Sequence, residues 1–166
     1  MAIENTLPLP LEVILPVIAA IAAFAVAGGY TGWVAKQNPG TKEMIDISNA
    51  VKEGAAAFLR REMKIIVPIA IGLSVIIGFF IGGSNGIAFA VGATLSAIAG
   101  IISLKVTVKA AVRAANATDS GLGKTFAIAF RGGATVGLAI PAMALVAIAI
   151  LYMIFPNPIT IAGVGI

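Results

Sequence analysis

Ile65–Leu104 reads IIVPIAIGLSVIIGFFIGGSNGIAFAVGATLSAIAGIISL, forty consecutive residues without one charged side chain. A single crossing of the hydrocarbon core takes about 20 apolar residues, so this run holds two crossings. Near its middle lies Gly82-Gly83-Ser84-Asn85-Gly86, a cluster of residues that favour turns. The run is therefore expected to fold as a transmembrane helical hairpin. Each half carries a small residue at every fourth position: Ala70, Ser74, Gly78 and Gly82 in the first, Ala88, Gly92, Ser96 and Gly100 in the second. Such rows let two helix backbones come close, which is how helices gain packing contact in lipid, and they are expected to form the contact between the two helices.

Upstream of the hairpin, residues 42–64 alternate polar and apolar side chains with a helical period. Ile47, Val51, Gly54 and Phe58 make a narrow apolar face, while Asp46, Asn49, Glu53, Arg60 and Lys64 lie largely on the other. This predicts an amphipathic helix, at the membrane surface or protruding into water, that runs straight into the first crossing. Thr41 stands where an N-cap belongs, and Glu43 places a carboxylate in the first turn, where the helix dipole favours it. Asn38-Pro39-Gly40 ends the helix before it. That helix, Val13–Ala35, is uncharged and long enough to span. Pro16 lies near its start, Ala25, Gly28, Gly29 and Gly32 make its second half slim, and Tyr30 and Trp33 sit at the depth of an aromatic belt. Met1–Pro10 carries Glu4 and no basic residue, so it lacks the positive n-region of a secretory signal.

Downstream, Lys105, Lys109 and Arg113 extend the second hairpin helix towards a polar turn containing Asn116, Asp119, Ser120 and Gly121. Gly132–Ile166 is again uncharged. Pro141 within it frees the carbonyl of Gly137 and is expected to kink the helix, and Pro156 and Pro158 close the span. The chain therefore reads as an all-α membrane protein in a single membrane domain, with transmembrane helices at about 11–35, 65–81, 87–108 and 126–154. Segments 36–64 and 109–125 join them, the first holding the amphipathic helix. All eleven basic residues lie between Lys36 and Arg131, in or beside these two segments, and none lies in the N-terminal segment, the hairpin turn or the C-terminal tail. The positive-inside rule puts both joining segments in the cytoplasm and both termini outside.

Composition excludes several classes. The chain of 166 residues is 60% hydrophobic and 11% charged, against about 45–50% and 25% in soluble domains. It has no cysteine and no histidine, hence no disulfide, no thiolate chemistry and no imidazole proton shuttle. A net charge of +4 does not imply nucleic acid, because the cations follow the membrane rule and do not form one binding face.

Few residues are candidates for chemistry. Gly121-Leu122-Gly123-Lys124-Thr125 ends like a phosphate-binding loop, but Thr118 stands where that pattern requires glycine, and a basic helix precedes it where a strand belongs. Lys105 and Lys109, one turn apart, are candidates for contact with phosphate or anionic lipid, or simply for snorkelling to the headgroups. Arg131 follows Phe126–Phe130 inside an apolar run, where an arginine needs an acidic or carbonyl partner. No residue is read as catalytic, substrate-binding or metal-binding, since magnesium wants gathered carboxylates and the seven acids are scattered. Two other classes remain in view. A small four-helix exporter would use Glu12 as its coupling carboxylate, although the one-sided cations argue against dual orientation. A structural membrane subunit of the proteolipid rotor type would need a carboxylate in mid-helix, and no span has one.

Three motifs resemble a known family. Asn38-Pro39-Gly40-Thr41 followed by Met44 to Ile66, with Val51-Lys52-Glu53-Gly54-Ala55-Ala56-Ala57-Phe58-Leu59-Arg60-Arg61-Glu62, is similar to the first cytoplasmic segment of membrane-embedded, ion-translocating inorganic pyrophosphatases. Gly92-Ala93-Thr94-Leu95-Ser96-Ala97-Ile98-Ala99-Gly100 and Ala129-Phe130-Arg131-Gly132-Gly133-Ala134 follow in the family's order and spacing. Ser103-Leu104 and Ala111 depart from its usual residues. The resemblance implies sixteen-helix homodimers, in a prokaryotic cell membrane here, that hydrolyse pyrophosphate with magnesium, in some members with potassium, and move protons or sodium ions outward. It further implies that the substrate- and metal-binding residues belong to helices after the fourth. This chain would then supply the N-terminal, outer-ring portion, inactive alone. Its partners would be the bilayer, the remaining helices and a second copy of the full-length protein, with no nucleic acid.

Overall fold

The computed structural model of the chain describes residues 11–155, the side chain of Glu12 excepted. Met1–Pro10, Pro156 and Pro158 lie outside the described residues. Four helices follow one another: α1 (Leu11–Ala35), α2 (Lys42–Phe80), α3 (Gly83–Ala117) and α4 (Leu122–Ile154), with one 3₁₀ turn at Thr118–Ser120 before α4. Each is long and apolar enough to cross a membrane.

The amphipathic stretch and the first hairpin helix are one unbroken helix. At 39 residues and a rise of about 1.5 Å each, α2 is about 58 Å long, nearly twice the hydrocarbon thickness. Its polar N-terminal half must project from the bilayer. Thr41 caps it as expected, its hydroxyl accepting from the Met44 amide at 3.3 Å. The turn to α3 is tighter than the five-residue cluster suggests. Gly82 takes a φ of +145°, and α3 starts at the next residue. Only this glycine is needed to turn the chain. Gly83, Ser84, Asn85 and Gly86 are already helical, so α3 begins about a turn earlier than the cluster would allow. At the other end Gly121 (φ +107°) performs the same service between the 3₁₀ turn and α4. Helix α4 continues on both sides of Pro141.

In space the helices run α1, α4, α3, α2, each packed on the next, with a slighter contact between α1 and α3. Along α1 the buried residues are Val13, Ala20, Ala27 and Val34, and along α4 they include Ile128, Thr135, Ala142 and Ala149. Both rows repeat every seventh residue, the spacing that keeps one narrow seam turned towards a neighbouring helix. Mostly small side chains on these seams let the backbones close up, which supplies the dispersion contact that lipid does not oppose. The glycines read as slimming α1, Gly28, Gly29 and Gly32, are not on this seam, and a methyl group at any of them would meet nothing within 4 Å.

Helix α2 is different, since none of its residues is buried. It touches α3 alone among the described helices. The tight point is the tip: a Cβ on Gly86 would lie 2.6 Å from the Ser74 carbonyl oxygen and 2.8 Å from the Gly78 Cα. There the Ser74 hydroxyl donates to the Gly86 carbonyl at 2.7 Å. Ala88 is fully buried beside it. Of the expected rows, Ser74, Gly78 and Ala88 fall in or beside this contact. Further from the tip, Ala70, Gly92, Ser96 and Gly100 line an open groove of about 590 Å³ between the two helices. The closest approach belongs to Gly86, a residue of the turn-forming cluster and of neither row.

Candidate functional site

The most connected part of the molecule is its basic end, where the α1–α2 link meets α3 and α4. Val34, Ala110, Ala117 and Ile128 form a small buried core there, with Trp33 and Ala114 packed on it. Helices α3 and α4 cross closely at this level, because a Cβ on Gly132 would run into the Ala110 methyl group. Alanine facing glycine is what permits that approach.

Polar side chains then tie the link to α3. A helix leaves its last carbonyls without intrahelical donors, and Arg113 supplies them for α1. Its Nε donates to the Gln37 carbonyl at 3.1 Å and its Nη2 reaches the Ala35 carbonyl at 3.4 Å, while Nη1 donates to Lys109 within its own helix at 2.9 Å. One turn on, the Asn116 amide donates to the Asn38 carbonyl at 3.2 Å. Asn38 Oδ1 in turn accepts from the Gly40 amide at 2.9 Å, folding the link back on itself. Gly40 needs to be glycine: its φ is +97°, and a Cβ there would lie 2.6 Å from Met44 Sδ and 2.9 Å from Asn116 Oδ1. The motif Asn38-Pro39-Gly40-Thr41 is thus a fold-back linker that ends one helix, docks on α3 and caps the next.

Arg131 finds a partner of a kind not expected. Its guanidinium carbon lies 3.8 Å from the centre of the Trp33 ring and 6.0 Å from that of Tyr30. An arginine inside an apolar run calls for an acid or a carbonyl, and Tyr30 and Trp33 sit where a headgroup belt is expected. The structure joins them instead, a cation held over an electron-rich ring face across the α1–α4 contact. No repeat or spacing announces this pairing, because Trp33 and Arg131 are far apart in the chain. The residues the sequence reading missed are Arg113 and Asn116, whose partners belong to another helix.

Lys105 and Lys109 are exposed, on the face of α3 that the bundle leaves open. Gly121–Thr125 forms the start of α4, where the Thr125 hydroxyl donates to the Gly121 carbonyl, and it is preceded by a 3₁₀ turn and a helix, so no phosphate loop is built. Among the described residues no three acidic side chains gather as a metal site would require. The described carboxylates are thus not gathered as a magnesium cage would be. The side chain of Glu12, on which an exporter would depend, lies outside the described residues.

Four apolar helices, with every cation gathered towards one end, make this an integral, multi-pass membrane protein. Residues 21–165 match the family model described as inorganic H+ pyrophosphatase, and the chain belongs to that family. A K(+)-insensitive pyrophosphate-energized proton pump of Methanosarcina mazei is 35% identical over 150 residues, covering 89% of this chain and 22% of the relative. A K(+)-stimulated pyrophosphate-energized sodium pump of Thermotoga maritima is 34% identical over 137 residues, covering 81% and 19%. A second K(+)-insensitive proton pump, from Moorella thermoacetica, is 36% identical over 162 residues, covering 92% and 24%. The chain thus spans about a quarter or less of the length of these relatives. None of them is an exporter or a rotor subunit.

Proposed function

We propose that the chain is the N-terminal, outer four-helix portion of a pyrophosphate-energised proton or sodium pump, and that it scaffolds the machine without hydrolysing pyrophosphate itself. The observation that carries this reading is the family match over nearly the whole chain, combined with a share of only 22% of a relative such as the Methanosarcina mazei pump. The eleven cations between Lys36 and Arg131 support placing the basic end in the cytoplasm and both termini outside. Hydrolysis of this type rests on electrostatic positioning by metals and cations around the reacting phosphates. The scattered carboxylates here supply no such cage, so magnesium, and potassium where it is used, belongs to the remaining helices. Arg113, Asn116 and Arg131 act structurally, holding the cytoplasmic link in place. Assembly with those helices, and of two full-length copies, completes the pump.

Complementation tests the reading. The relevant partner is the Methanosarcina mazei relative deprived of the segment that this chain matches, expressed as a separate polypeptide in the same membrane. Neither piece alone should hydrolyse pyrophosphate above background with magnesium present, and the two together should. Turnover by this chain alone, or full activity of the shortened relative alone, would overturn the proposal.

A further inference from the structure

On one side of the α2–α3 seam, at the basic end, lies a groove of about 250 Å³ whose floor is aliphatic and whose rim is cationic. Leu59, Met63, Ile101 and Leu104 line the floor, and Lys52, Arg60 and Lys105 stand around it. No carboxylate lines it. The companion groove on the other side of the seam shares Leu59 and Met63 but carries Glu62 and no cation. The three cations therefore mark one groove and not the hairpin in general.

Depth narrows the ligand. Lys105 is the first charged residue after the uncharged run Ile65–Leu104, and Arg60 stands one helical turn before Lys64, the last charge ahead of it. The groove thus opens where hydrocarbon gives way to headgroups, with Lys52 about 12 Å further out along α2 at the ordinary helical rise. All three side chains are exposed, and none has a hydrogen bond or ion pair with the described residues. Arg113 and Arg131, by contrast, are engaged by protein. A partner with aliphatic carbon on the floor and a negative group at the rim, at this depth, matches one chemistry.

We propose that this groove is a binding site for an anionic phospholipid. The phosphate lies between Arg60 and Lys105, with Lys52 reaching in from the water side, and the first carbons of an acyl chain lie on Leu59, Met63, Ile101 and Leu104. Basic residues beside a membrane span attract acidic headgroups, and an aliphatic floor turns that general attraction into a place.

The test uses the complete 166-residue chain in micelles doped with equal amounts of phosphatidylglycerol and phosphatidylcholine, with retained lipid counted by native mass spectrometry. Phosphatidylglycerol is expected to exceed phosphatidylcholine about tenfold, within what three juxtamembrane cations can supply. K52Q/R60Q/K105Q should bring the two lipids to parity, and R60K should keep the preference. K36Q/K42Q/K124Q, which removes the same charge away from the groove, should leave it unchanged. Helix content by circular dichroism checks that each variant is folded. Equal retention by the unaltered chain, or an equal loss in K36Q/K42Q/K124Q, would overturn the site. So would displacement of the lipid by millimolar inorganic phosphate, which would make it a pocket for free anions.

Discussion

The α1–α4 pair and the α2–α3 pair are both antiparallel and both in reach of lipid, yet they are held in different ways. The first has a seam of buried residues at every seventh position on each helix, a cation–ring contact across it, and a third helix closing on it at Gly132. The second has one tight point at Ser74, Gly78 and Gly86, and then opens into grooves, with α2 burying nothing. Lipid tails are as apolar as leucine, so no hydrophobic force gathers helices inside a bilayer. What gathers them is close packing and polar contact: α1 and α4 have buried seams along their length, and α1, α3 and α4 are tied by polar contacts at the basic end. Helix α2 lies along α3 too, but its closest backbone approach and the Ser74–Gly86 hydrogen bond are at the tip. Even outside the uncharged run, Ile47 and Phe58 are each 66% exposed. Large apolar side chains stand open on this helix well away from its uncharged run. The three-helix unit is the more tightly packed piece, and α2 is an arm held to it through α3 alone.

Substitutions separate the two. G132L is expected to have the largest effect, about 3 kcal/mol or more, because overpacking at the Ala110 crossing has no flexible neighbour to move. It should loosen α1, α3 and α4 together, seen as a lower midpoint when thermal unfolding in detergent is followed by circular dichroism. G86L should cost about 1–3 kcal/mol, but release only α2. Limited proteolysis should then cut residues 42–64 faster while the α1–α4 contact stays intact. If both variants loosened the whole molecule alike, the division into unit and arm would be wrong.

Smaller effects test the basic end. R113A strips donors from the Ala35 and Gln37 carbonyls, and should destabilise by about 1.5 kcal/mol, the low end for charged hydrogen bonds. R131Q should cost about 1 kcal/mol for a partly exposed cation–ring contact. It should also change the emission of Trp33, the sole tryptophan, and R131K should restore part of the signal. G28A and G29A should be neutral within error, since nothing lies within 4 Å of either position.

The helices were legible because charge and its absence alternate in long blocks, and a bilayer converts block length directly into spans. The Thr41 cap was legible for another reason, a local rule read from adjacent residues. The hairpin tip was misread in its size. Glycine serves both for turning and for close approach, and the sequence does not say which of Gly82, Gly83 and Gly86 does which. Gly82 turns, and Gly86 lets α2 in. The seam of α1 and α4 did have a signal, the repeat at residues 13, 20, 27 and 34 and at 128, 135, 142 and 149, but it was masked by the abundance of alanine and glycine around it. Arg113 and Arg131 were not legible as connectors at all. Each meets a residue more than seventy positions away, and only the folded chain puts such pairs together.

Because the chain has no cysteine, spin-label pairs can be placed at will, and one pair of distances tests the arm directly. Labels at Ala35 and Met153 report the α1–α4 contact, and labels at Asn49 and Met153 report α2 against the same helix. In the isolated chain the first pair should give a narrow distance distribution and the second a broad one. Joined to the remaining helices of a relative, the second should narrow while the first stays as it was. A narrow Asn49–Met153 distribution in the isolated chain, or one that stays broad after joining, would contradict the account.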